Sequence, residues 1–155
     1  MGLTILTMRT LVIGVGNLLR TDDGVGIHVI NRLSRLHPEV DTLDAAMGSI
    51  EIIEAMRGYD RAVIVDAIET GAEPGTIYRV NLTGGEKPPT ITHSHGTDII
   101  TILQLGHQLY PTEMPEETLL IAVEAEDTTT IGDKPTPKVE EAIEKTLQIV
   151  AKYAE

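Results

Sequence analysis

Carboxylates collect at the ends of apolar runs in this chain. Asp22 and Asp23 follow Leu11-Val-Ile-Gly-Val-Gly-Asn17-Leu-Leu-Arg-Thr; Asp44 follows Val40–Leu43; Asp66 follows Ala-Val-Ile-Val. A carboxylate at the rim of a buried element is costly unless it finds a cation or several hydrogen-bond donors. Imidazoles come from Thr92-His93-Ser94-His95-Gly96-Thr97-Asp98, where a long loop gives way to a helix. One or both of Asp22 and Asp23, together with Asp66 and one histidine, would suit a borderline divalent metal such as Ni²⁺ or Zn²⁺. Positions would remain open for water or substrate. Each residue also has a plainer reading. Asp66 reads either as a ligand or as a turn cap. Asp44 reads either as a general base beside the crevice or as an acceptor for turn amides. His93 and His95 read either as ligands or as surface residues.

Other chemistries are less well supported. The chain has no cysteine, which excludes disulfides, thiolate metal sites and a cysteine nucleophile. Gly14-x-Gly16 does not complete a dinucleotide fingerprint, because Leu19 occupies the third glycine position. There is no phosphate-binding loop and no Gly-x-Ser-x-Gly elbow. The only serines are Ser34, Ser49 and Ser94, and Ser94 beside His95 is a poor nucleophile pair. A helix entrance welcomes anions, yet this one carries two aspartates in place of a phosphate-cradling lysine.

At 155 residues the chain is expected to form one domain, burying roughly two-thirds of its unfolded surface. Its net charge of −12 repels phosphate backbones and anionic membranes, so neither nucleic acid nor a membrane is expected as partner. Phe and Trp are absent, which removes most stacking platforms and leaves Ile, Leu, Val and Ala to build the core. No apolar run approaches the ~20 residues that span a bilayer. Residues 1–7 lack the basic region of a signal peptide and read as an extension ahead of Met8. A cytoplasmic protein is expected.

The elements that must position these groups alternate. Residues 10–15 read as a buried strand, 24–36 as a helix, 40–44 as a short strand and 49–57 as a helix capped by Ser49. Residues 61–68 form a continuous apolar run, expected of a strand buried on both faces. Residues 76–82 alternate as a strand, 83–92 form a loop, and a helix runs from His95 or Gly96 to Leu109. A strand at 119–123 and a helix at 137–152 follow. This predicts an α/β fold with a mostly parallel sheet covered on both faces. The 69–75 connection is too short for a crossover helix, so strand 76–82 is expected antiparallel to its neighbour, at an edge. With a 2-1-3 winding, the crevice between the first and third strands becomes the switch point where such sheets bind ligands.

Gly14-Val-Gly-Asn17-Leu-Leu-x-x-Asp22-Asp23-Gly-Val-Gly26 resembles the opening motif of the [NiFe]-hydrogenase maturation endopeptidases. The resemblance continues through Leu43-Asp44, Val65-Asp66-Ala67-Ile68, Pro74-Gly75-Thr76, Ser94-His95-Gly96 and the strand ending at Glu124, covering residues 8–152. It implies a twisted five-stranded sheet between helices. It also implies removal of a C-terminal extension from the hydrogenase large-subunit precursor once nickel is inserted. By the same resemblance Asp23, Asp66 and His95 are the metal-binding residues, and Asp44 is implicated in cleavage or substrate contact. The metal is expected to be nickel carried by the substrate, or another divalent ion at the same site. The chain departs from the family at Asp44-Ala-Ala-Met, where many relatives carry Asp-Gly-Gly-Thr, and at Asp23, where some carry glutamate. A reading from another class is a non-catalytic metal-binding chaperone on the same fold.

Overall fold

The computed structural model describes residues 8–46, 50–89 and 99–155. Ten elements follow in order: β1 (Thr10–Val15), a 3-10 turn (Thr21–Gly24), α1 (Val25–Leu36), β2 (Asp41–Ala45), α2 (Ile50–Met56), β3 (Arg61–Ile68), β4 (Ile77–Asn81), α3 (Ile99–Leu109), β5 (Glu117–Glu124) and α4 (Pro137–Tyr153). The strands form one five-stranded sheet in the order β2-β1-β3-β5-β4. Pairing is parallel throughout except for β4 against β5. The expected α/β architecture and 2-1-3 winding are therefore present. Among the described residues no helix is long and apolar enough to cross a membrane.

Two boundaries differ from the sequence reading. Strand β2 is shifted by one residue from the expected 40–44 and runs on to Ala45, with Asp44 opposite Gly14. Strand β5 is longer than 119–123, because Glu117 and Thr118 pair with Arg61 and Ala62. Strand β4 is antiparallel and at an edge, as expected, and its neighbour is β5. The cause is burial: Thr118–Glu124 is buried along its whole length, so β5 takes the interior place. The half-exposed β4 is left outside. Ser49, expected to cap α2, lies outside the described residues.

The aliphatic core divides by strand alternation. On one face Val12, Val63, Val65 and Ile121 pack with Val25, Val29 and Leu33 of α1 and Val139, Ile143 and Leu147 of α4. On the other, Leu11, Ile13, Ile64 and Leu120 pack with Ile52, Ile53 and Met56 of α2 and Ile102 and Leu103 of α3. Two helical layers thus enclose the sheet without a single Phe or Trp.

The amino end of α1 lies on the sheet at backbone contact. A Cβ at Gly26 would stand 2.2 Å from the Val65 carbonyl oxygen and 2.9 Å from that of Val15. A Cβ at Gly14 would stand 2.5 Å from the Gly26 carbonyl oxygen. Any side chain at either position forces α1 away from β1 and β3. Gly26→Ala is expected to destabilise the protein by about 3 kcal/mol, the upper end of the usual overpacking cost. Urea unfolding checks this; a loss below about 0.5 kcal/mol, the size of an ordinary surface change, would contradict the contact.

Candidate active site

The loop after β1 folds back sharply. Gly16 has φ +140°, and a Cβ there would meet the Asp23 carbonyl oxygen at 1.9 Å. Only glycine fits both the angle and the approach. The turn is closed by the Asn17 amide, which donates to Asp23 Oδ2 at 2.9 Å. The Leu19 amide donates to Asn17 Oδ1, also at 2.9 Å. Asp23 is only 3% exposed and rides on the 3-10 turn, which packs against β3. Asp66 is 9% exposed near the carboxyl end of β3, where its Oδ1 accepts the Ala67 amide at 2.7 Å. Both carboxylates therefore stand at the carboxyl ends of the two central parallel strands, at the point where strand order reverses.

Asp44 is at the same end of the sheet but leaves it differently. Its strand neighbours Leu43 and Ala45 face α2 and α3. Alternation therefore turns Asp44 toward the α1 side, whereas Asp66 shares the side of Ile64 and Ile68. Asp44 is exposed. The turn that would supply amides to Asp44 includes residues 47–49, which lie outside the described residues. His93, Ser94 and His95 lie outside the described residues. Among the described residues no three His, Cys, Asp or Glu side chains gather around one metal position.

Asp22 does something else. It is fully buried and accepts four hydrogen bonds. Glu126 N and Asp127 N donate to Oδ2 at 2.9 and 3.0 Å. Thr136 N donates to Oδ1 at 2.7 Å, and the Thr136 hydroxyl to Oδ2 at 2.8 Å. This carboxylate is a pin between the β1 loop and the segment joining β5 to α4. The same segment holds Thr21, whose φ of +53° is strained for a β-branched residue. Thr21 N donates to the Gly132 carbonyl at 2.9 Å, and its hydroxyl donates to the Thr130 carbonyl at 2.6 Å. Of the two adjacent aspartates, one holds the loop in place and the other faces the strand ends.

The sequence reading missed this clamp. It treated 133–137 as a turn before the last helix and assigned nothing to Thr130, Gly132 or Thr136. The only signal was compositional: Asp127-Thr-Thr-Thr130 followed by Gly132 and Pro135 is rich in local hydrogen-bonding residues. Asp127 caps its own turn. Hydrogen bonds from the Thr130 side chain and amide, then from the Thr129 amide, hold its carboxyl at about 2, below the ordinary 3.8.

A buried carboxylate closes the far side of β5. Glu124, 1% exposed, accepts the Thr70 amide at 2.8 Å and the Tyr78 hydroxyl at 2.9 Å. It ties the β3–β4 connection to the strand end. A groove of about 930 Å³ lies elsewhere, between α3 and the loops flanking Leu82 and Met114, at the opposite end of the sheet from Asp23 and Asp66.

Asp22→Asn replaces one acceptor oxygen with a donor that faces amide N–H groups. A loss of about 3 kcal/mol of stability is expected, measured by chemical unfolding. A loss under about 1 kcal/mol, typical of a single neutral hydrogen bond, would contradict the pin. The Asp127 turn carries a pH prediction. Because its folded value is depressed, its contribution is complete above the ordinary 3.8 and is lost as pH falls toward about 2. An NMR titration of the carboxyl checks this; a midpoint near 4 would contradict it.

Known proteins are similar to this chain in sequence and fold. A model of the hydrogenase maturation protease family matches residues 27–153. The chain is 32% identical over 154 residues to the hydrogenase 2 maturation protease of Escherichia coli K12, covering 92% of this chain and 88% of that protein. It is 29% identical over 152 residues to the hydrogenase expression/formation protein HupD of Thiocapsa roseopersicina, covering 92% of this chain and 66% of that protein. Its fold is similar to that of the hydrogenase maturating endopeptidase HybD from E. coli, with a TM-score of 0.77 and 28% identity over 94% of this chain and 91% of that one. On a family match spanning most of its length, joined to this fold, the chain belongs to the hydrogenase maturation protease family.

Proposed function

We propose that this protein is an endopeptidase that removes the C-terminal extension of a [NiFe]-hydrogenase large-subunit precursor after nickel insertion. Nickel seated in the precursor is the mark it recognises. The observation that carries this reading is the placement of Asp23 and Asp66. Two nearly buried carboxylates, each accepting a backbone amide, put negative charge beside the ends of adjacent central strands, where a cation delivered by the substrate is electrostatically favoured. With the imidazole of His95 they make an oxygen-rich, borderline donor set suited to nickel. So small a set binds weakly by itself, so discrimination comes from the coordination positions that only a loaded precursor offers.

Hydrolysis then needs a base. Water attacks the scissile carbonyl carbon, a carboxylate takes the water proton, and that proton passes to the departing amine. Asp44 is an exposed carboxylate at this end of the sheet and is assigned that role, with Asp23 as the other candidate. The setting is cytoplasmic, consistent with a chain that uses no cysteine.

The test is mass spectrometry of nickel-loaded precursor incubated with wild type and variants. Asp23→Asn, Asp66→Asn and His95→Ala are expected to leave the extension attached and to weaken precursor binding. Asp44→Asn is expected to retain binding while the rate falls about 10²-fold or more, as for loss of a general base. Full cleavage by all four variants would remove the site. Metal transfer with no change in precursor mass would mark a metallochaperone instead.

A further inference from the structure

The clamp that positions Asp23 also presents an apolar ridge to solvent. Arg20 and Gly132 form an isolated parallel bridge, which sets Leu19 beside Ile131 in register. The Gly132 amide donates to the Leu19 carbonyl at 2.8 Å, and the Thr21 amide donates to the Gly132 carbonyl at 2.9 Å. Leu19 is 61% exposed and Ile131 86% exposed. Single exposed aliphatics are ordinary. Two side by side, on backbones fixed by mutual hydrogen bonds and by the buried Asp22 beneath them, form a rigid contact that orders nothing further on binding. Arg20, between them in sequence, is also exposed. Among the described residues its guanidinium makes no ion pair, although the chain carries a net charge of −12.

We propose that Leu19, Ile131 and Arg20 are a docking surface for the folded precursor, resting on the function proposed above. They would receive an apolar side chain flanked by a carboxylate. The occupant follows from two observations. The ridge lies on the same loop as Asp23, immediately upstream, so a folded substrate that brings its metal to Asp23 lays its surface across this rim. The unpaired guanidinium complements an acidic rather than a basic neighbour. The ridge is thus a specificity element, acting on affinity rather than on the chemical step.

The test uses the nickel-loaded precursor, with binding read by surface plasmon resonance and cleavage by mass spectrometry. The double variant Leu19→Ser, Ile131→Ser is expected to raise both Kd and KM about tenfold, with kcat within about twofold and the thermal midpoint unchanged. Arg20→Glu is expected to weaken binding several-fold and to flatten the dependence of the association rate on ionic strength. Wild-type constants in both variants would overturn the ridge. A fall in kcat at unchanged KM would overturn it too, because the residues would then act on the chemical step. A wild type that binds the precursor but never cuts it overturns the proposed hydrolysis alone, and the ridge is then judged on Kd. A wild type that does not bind the precursor overturns both.

Discussion

The contact on which the rest depends is the backbone approach of α1 to β1 and β3. Gly14 and Gly26 let the helix end sit directly over the strand ends, and Gly16 folds the loop beneath it. No side chain fits at these positions, so close backbone packing allows the placement of Asp23 that the loop's hydrogen bonds then fix. The glycines carry no chemistry. They set how closely the 3-10 turn that carries Asp23 and the start of α1 approach β1 and β3.

A second layer of structure keeps this arrangement in place. The β5–α4 segment reaches back to the β1 loop through Thr130, Gly132 and Thr136, and the buried Asp22 gathers four donors from it. Thr21 is held at a positive φ that a threonine adopts only under constraint. Strain and a fully bonded buried carboxylate belong together here. The hydrogen bonds over-determine a loop that would otherwise relax, and the relaxation would move Asp23. The two aspartates share one loop and bond differently: Asp22 ties it to the β5–α4 segment, whereas Asp23 accepts the Asn17 amide within the loop itself.

Fold class, strand winding and helix faces were readable because apolar periodicity reports them directly. Val25, Val29 and Leu33 lie on one stripe against the sheet, whereas Leu36, expected on the same stripe, is 64% exposed at the end of α1. What periodicity could not report was long-range pairing. The antiparallel partner of β4 is β5, not β3, because burial of a strand arriving some thirty residues later decides the order. Likewise the adjacency of Asp22 and Asp23 suggested a shared task, and only the donors from residues 126–136 separate them. The motif glycines were visible as letters, but their purpose needed the Val65 carbonyl in place. Asp44 was legible as a strand-end carboxylate; which side it faces follows from its neighbours Leu43 and Ala45 packing toward α2 and α3. His95 lies outside the described residues.

Under the proposed function, nickel in the precursor is the gate on cleavage, with Asp23 and Asp66 presented from a loop fixed by hydrogen bonds and from a buried strand. The most direct measurement compares cleavage of nickel-loaded and nickel-free large-subunit precursor by the wild-type protein, followed by mass spectrometry. Processing of the loaded form alone is the predicted result. Equal processing of the nickel-free form, by a protein that retains its own stoichiometric zinc, would contradict it.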